Sequence, residues 1–256
     1  MHAVLIPQEL FRLSDPPKEL YALGREELLN SRKIAIVGSR KALFYSKQMC
    51  EKLASMLSLA GITVVSGAAT GIDAAAHIGA FPNTIAVLAN SLDIYYPKIN
   101  FKLIEKISKE GLLLSEYPAT TYATRYSFVL RNRLVVAMSE ALVIAQADLN
   151  SGSLRSAEFA LELGIPIYVF PHRKGESPGT AELVKNAGAI VMDDFEAFVK
   201  MFSLQSKTCA AVNDEVLEFV AKNSDLNACL REFGNRIYEY ELEGKIVISQ
   251  MKVKVS

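Results

Sequence analysis

Excess charge of either sign is missing from this chain: 28 Lys and Arg balance 28 Asp and Glu in 256 residues. No global field draws in nucleic acid or an anionic membrane, so any polyanion must be held by a local patch. Cysteine is scarce. Cys50, Cys209 and Cys229 are widely separated, form no metal-binding pair and suit a reducing cytoplasm. The three histidines are equally scattered, which argues against zinc catalysis. Long apolar runs are also lacking, because Ser139, Glu140 and similar residues interrupt them well short of membrane length. The stretch Ala3–Pro7 is too short for a signal peptide and has no basic leader. These absences lead us to expect a soluble cytoplasmic protein without metal, cofactor or membrane insertion. Two phosphate signatures are absent as well. There is no G-K-[ST], and "GSRKAL" after a strand-like run is not G-x-G-x-x-G, which disfavours P-loop and dinucleotide enzymes.

What is present is a regular alternation. Short β-branched runs ("KIAIVGSR", "ITVVSG", "NTIAVLAN", "GLLLSE", "EALVIAQA", "IPIYVFPH", "AIVMDD") are separated by amphipathic stretches. In one of these, from Tyr45 to Ala60, Met49, Leu53, Met56, Leu57 and Ala60 share a face. Gly61 and Gly164 stand where two helices should stop. Strands alternating with helices of this length predict right-handed βαβ units and a parallel sheet covered on both faces. The expected organisation is a lead-in over 1–30 pinned by Pro16 and Pro17, an α/β domain over 31–203 and a linker over 204–213. A small C-terminal module over 214–256, with helices and then a β-wing, reads as winged-helix-like.

Ligands of open α/β sheets bind outside the carboxyl ends of the strands. Gly38-Ser39-Arg40, Ser66-Gly67, Ser115-Glu116 and Ser151-Gly152-Ser153 all fall there. Several precede a helix, where unpaired N–H groups favour an anion, and Arg40 and Arg155 lie beside two of the turns. The plain alternative is that these Gly and Ser residues only make turns and caps. Asp73 and His77 are four apart on one helical face. With no third group nearby, a buried structural pair fits them better than an acid–base pair. The segment "TTYATRYSFVLRNRLVV" interleaves Tyr122, Tyr126 and Phe128 with Arg125, Arg131 and Arg133. Arginines along phosphates beside aromatic faces for bases are the chemistry of sequence-tolerant single-strand binding. The alternative is an amphipathic helix with solvated or carboxylate-paired arginines and Phe128 in the core.

Six segments together resemble the DNA-processing protein A family (DprA, also Smf). They are "IAIVGSRKALFYSKQ", "VVSGAATGIDAAAH", "TIAVLANSLDIYYPKIN", "GLLLSEYP", "FVLRNRLVVAMSEALVIAQADLNSGSLRSAEFA" and "SPGTAELVKNAGA", in the family's order over about two-thirds of the chain. The resemblance implies an extended Rossmann-like domain without catalytic activity. It implies a homodimer that binds single-stranded DNA taken up in natural transformation, protects it and helps load the RecA recombinase. By position, Gly38, Ser39 and Arg40 match the first phosphate-facing loop, Ser66 and Gly67 the second, and Ser151, Gly152 and Ser153 the third. Arg125 matches a basic residue facing the strand, Phe128 the base-contacting aromatic, and Arg131, Asn132 and Arg133 the family's R-N-R. Ala89-Asn90-Ser91, Val129 and Gln146 depart from the family pattern, and an N-terminal helical extension of some members is expected to be missing or reduced. A rival resemblance is to Rossmann-like phosphoribohydrolases of nucleoside monophosphates, since Arg131-Asn132 precedes "NSGSLRSAE" with Glu158 at the matching offset. The substituted glycines and Asn132 in place of a lysine point to shared fold ancestry rather than to that activity.

Overall fold

The β-branched runs form one nine-stranded sheet in the computed structural model, which describes residues 1–204, 216, 219–220, 223–234, 236–242, 246–249 and 252–255. In chain order the strands are β1 (His2–Ala3), β2 (Tyr21–Gly24), β3 (Lys33–Val37), β4 (Thr63–Ser66), β5 (Thr84–Val87), β6 (Leu112–Ser115), β7 (Ala141–Ile144), β8 (Ile167–Val169) and β9 (Ile190–Val191). Their order across the sheet is β1-β2-β6-β5-β4-β3-β7-β8-β9. From β6 to β9 every pairing is parallel, with Ile34 opposite Val64 and Val37 opposite Ile144. The sheet is therefore mostly, not wholly, parallel: β2 runs antiparallel to β6 and β1 antiparallel to β2. The segment expected as a lead-in thus extends the sheet at one edge.

Seven helices cover this sheet: α1 (Phe44–Leu59), α2 (Ile72–Ala80), α3 (Phe101–Glu110), α4 (Arg125–Ala137), α5 (Gly152–Glu162), α6 (Pro178–Ala187) and α7 (Phe195–Leu204). Residues of β3 alternate between the two cores, as the pleat requires. Ile34 and Ile36 pack with Leu53, Leu57 and Phe198, whereas Ala35 and Val37 pack with Leu134, Val135 and Ala157. Gly61 and Gly164 have φ of +75° and +66°, a backbone state that glycine adopts without steric cost just past a helix end.

Chain direction sets where a ligand can sit. The chain leaves β3 for β4, β5 and β6 on one side and returns to β7, β8 and β9 on the other. The strand order reverses between β3 and β7, and a crevice opens beyond their carboxyl ends.

The chain divides into two units, Met1–Ser203 and Leu204–Ser256. The second contains α8 (Leu226–Phe233), α9 (Arg236–Leu242) and an antiparallel hairpin of β10 (Ile246–Ser249) and β11 (Lys252–Val255). Its own core includes Val216, Val220, Leu226, Cys229, Ile237, Ile246 and Val253. The linker expected at 204–213 lies, apart from Leu204, outside the described residues. Among the described residues no helix is long and apolar enough to cross a membrane.

Candidate nucleic-acid interface

Beyond β3 and β7 lies a cleft of about 640 Å³. The loop after β3 lines it with Gly38, Ser39, Arg40 and Lys41, α4 with Arg125, Phe128, Arg131 and Asn132, and the start of α5 with Ser151, Gly152 and Ser153. Ten of the expected contact residues thus meet at one place.

Local bonding explains how each wall is held. The Ser39 amide donates to the Gln146 carbonyl oxygen at 2.8 Å, and the Leu43 amide donates to the Gln146 side-chain oxygen at 2.9 Å. Gln146, where the family pattern is broken, therefore clamps both ends of the loop that carries Arg40. A Cβ on Gly38 would come within 2.6 Å of Ile72 Cγ1, so only glycine lets the strand end approach α2. Thr124 and Ser127 form a capping box that fixes the start of α4. From that start Arg125, Phe128 and Asn132 follow at helical spacing along one stripe toward the cleft.

Phe128 is half-buried and not a core residue. Its ring lies 6.0 Å from that of Tyr96, and the Arg40 guanidinium stands 5.2 Å from its centroid. Arg40, Lys41 and Arg125 are exposed and form no ion pair among the described residues. At the opposite wall α5 begins without a side-chain cap, leaving first-turn N–H groups to be satisfied from outside the helix. The Ser151 and Ser156 hydroxyls there are buried, line the cleft and have no hydrogen-bond partner. A site with free cations, an uncapped helix start and a half-open aromatic ring suits an anion joined to a flat apolar group.

Three expected contacts are not in the cleft lining. Ser66 is fully buried and its hydroxyl donates to the Ile36 carbonyl at 2.6 Å. Gly67 lies beneath Arg131, whose guanidinium a Cβ there would strike and whose Nη1 bonds the Gly67 and Val87 carbonyls. Arg133 is buried in a two-bond pair with Glu116, at 2.8 and 2.6 Å. The second loop differs from expectation for a further reason: its amides are already taken. The Ala69 N–H donates to the Asp73 carboxylate and the Ala68 N–H to His77 Nε2, both at 3.3 Å. Asp73, which also lines the cleft, and His77 each bond a different amide of the loop rather than one another.

The protonation states follow from burial. Desolvation raises the Asp73 carboxyl above its usual range, with Arg131 opposing. Burial first, then Arg131, pushes His77 down to about 3, so the ring is neutral. Thr84 gives its hydroxyl proton to the Val64 carbonyl and accepts from His77 Nδ1–H at 2.7 Å, which leaves Nε2 to accept from Ala68. Arg131 lines the cleft as a buried charge, its Nε bonded to the Asn132 side-chain oxygen at 3.1 Å. Burial lowers it to about 10, still protonated at neutral pH.

Arg155 is exposed and paired with Glu158 at 2.6 Å, and neither lines the cleft. The carboxylate that the phosphoribohydrolase resemblance needs is therefore outside the site. Tyr122 and Tyr126 are exposed and do not line the cleft either. Among the described residues no His, Cys, Asp and Glu side chains gather as a metal site. Sequence reasoning missed Lys41, Tyr96 and Ser156. Adjacency to Arg40 was a signal for Lys41, whereas Tyr96 arrives through the chain's path after β5 and had none.

A sequence profile of the DNA recombination-mediator protein A family matches residues 2–203. The DNA processing protein DprA of Bacillus subtilis is 38% identical over 169 residues, covering 64% of this chain and 57% of that one. Protein Smf of Synechocystis is 34% identical over 197 residues, 73% of this chain, which spans half of that protein's length. A solved DNA processing protein A from Helicobacter pylori, studied for its single-stranded DNA binding mode, superposes with a TM-score of 0.77 at 41% identity, over 78% of this chain and 94% of that one. That of Streptococcus pneumoniae superposes with a TM-score of 0.70 at 34% identity, over 74% of this chain and 68% of that one.

Proposed function

The chain belongs to the DNA recombination-mediator protein A family, and from that premise we propose that it binds single-stranded DNA in the cleft beyond β3 and β7. The observation that carries the reading is Phe128, a half-exposed ring standing between Tyr96 and Arg40 at the mouth of a cationic cleft. Such a ring stacks on a base only when the base face is free, which favours single strands over duplex. Arg40, Lys41 and Arg125 supply charge to phosphates, and the Ser151–Ser153 turn supplies neutral donors. Phosphate contacts carry no base information, so binding is largely independent of sequence. Gly38, Ser39, Arg131 and Asn132 shape the cleft, while Ser66, Gly67 and Arg133 support it from within.

The wider role follows from the family. The protein protects single strands entering by natural transformation and helps load the RecA recombinase, acting in the cytoplasm as a homodimer and without catalysis. The phosphoribohydrolase alternative is disfavoured by the surface position of Glu158.

Phe128→Ala tests the reading directly. Binding of a single-stranded oligonucleotide should weaken by about 1–3 kcal/mol. Melting temperature should change little, because the ring is not in the core. A variant that melts far lower while its folded fraction binds normally would remove Phe128 from the DNA.

A further inference from the structure

A second cavity, of about 510 Å³, is lined in part by Leu43, from the loop that carries Arg40. It is lined by Leu43, Tyr45, Pro171, His172, Arg173 and Glu176. Lys41 belongs to the cleft and Leu43 to this cavity, so at most about 7 Å of chain separates the two walls.

We propose that this cavity is a second nucleobase pocket, receiving a base from the strand whose phosphate and first base occupy the cleft; the inference rests on the single-strand reading above. Its floor carries an unmet hydrogen-bonding group. The His172 side chain is only 5% exposed, and its Nε2–H donates to the Ala145 carbonyl at 2.7 Å. Its Nδ1 is buried without a hydrogen-bond partner. Glu176 does not meet that need. A carboxylate has no proton to offer, its Oε2 is 3.9 Å away, and it already accepts from the Arg173 amide at 3.1 Å. A buried acceptor left unpaired is costly, and a ligand that brings an N–H removes the cost.

The rest of the lining fits the same ligand. Tyr45 is 48% exposed, a flat face at the rim on which a base can lie, and Pro171 and Leu43 give apolar walls. Arg173 is exposed at the opening, where the phosphate of a bound nucleotide would be. Every common base has an N–H on its pairing edge, so the pocket accepts bases broadly and refuses an abasic sugar. Two pockets that share one loop let the protein grip a strand by two bases, which a duplex cannot offer.

The test uses the full chain and thymidine oligomers of about a dozen nucleotides, within the usual range of single-strand site sizes. One oligomer is normal, and a second keeps a single base with abasic sugars on either side. Tyr45→Ala and His172→Ala should each weaken binding of the normal oligomer about tenfold and leave binding of the single-base oligomer unchanged. Arg40→Ala should weaken both. Tyr45 is at the surface, so its variant remains informative if His172→Ala fails to fold. Equal affinity of native protein and Tyr45→Ala for the normal oligomer, with Arg40→Ala still impaired, would overturn the second pocket and leave the cleft standing. If the native protein bound neither oligomer, both readings would fall together.

Discussion

His77 shows how little a residue's type reveals about its task. It lies on α2, just after a glycine- and alanine-rich loop of the kind that holds phosphates, yet its neutral ring and the Asp73 carboxylate take the Ala68 and Ala69 amides of that loop. Burial holds the folded His77 near 3 against its usual 6.5. Between these values the unfolded chain binds the additional proton, so this contribution to stability is fully present above about 6.5 and is lost as pH falls toward 3. Asp73, raised by burial, acts in the opposite sense: its contribution is present at acid pH and is lost as pH rises through its folded value. His77→Gln removes only the first effect. Unfolding free energy, measured by denaturant titration, should fall more steeply for the native protein than for the variant between pH 6.5 and pH 4, a difference on the order of a few kcal/mol. Parallel profiles would mean that His77 does not carry this linkage. The loop was readable in the sequence as a glycine-rich turn, but whether its amides were free was not. That depends on where a side chain of the following helix folds back.

At the level of elements, α4 performs two tasks on two faces. One stripe presents Arg125, Phe128 and Asn132 to the cleft, while Arg133 turns inward to Glu116 beside β6. Arg133→Ala would strand that buried carboxylate and should cost about 3–5 kcal/mol of stability, measured by denaturant unfolding, with DNA affinity of the folded protein little changed. Arg125→Ala should do the reverse, keeping stability and lowering the salt slope of binding by roughly one phosphate. A large loss of affinity without loss of stability in Arg133→Ala would show that its guanidinium does face DNA. Sequence spacing could not separate these arginines, because Glu116 is distant in sequence and lies past the end of a strand. Elsewhere the elements were largely legible. The short β-branched runs became β3 to β9, and the stretch read as Tyr45 to Ala60 became Phe44–Leu59. β1 and β2 escaped notice because His2–Ala3 and Tyr21–Gly24 carry at most one large aliphatic residue each, too few to mark an apolar run. The cleft was legible as a place, since the Gly and Ser turns pointed to the carboxyl ends of β3 and β7.

In a chain of zero net charge, Arg40, Lys41 and Arg125 bring three exposed cations together in the cleft beyond β3 and β7, the local patch that the proposed single-strand binding requires. The second unit brings its own core but also an exposed Glu241 on α9, a charge that repels a phosphate backbone. Protein ending near Ser203 should therefore keep most of its single-strand affinity, as judged by titration of a labelled oligonucleotide. Near-complete loss, with the first unit still folded, would make the second unit a DNA reader. In the proposed reading, local charge and an open aromatic ring together select a single strand. The most direct test of that reading is a binding titration of mixed-sequence single-stranded and duplex DNA of equal length across a salt series. If each protomer neutralises about 3–5 phosphates, log K for the single strand should fall with log salt at a slope of roughly −2 to −3.5, with duplex bound much more weakly throughout. Equal affinity for the two forms, or affinity indifferent to salt, would contradict the account.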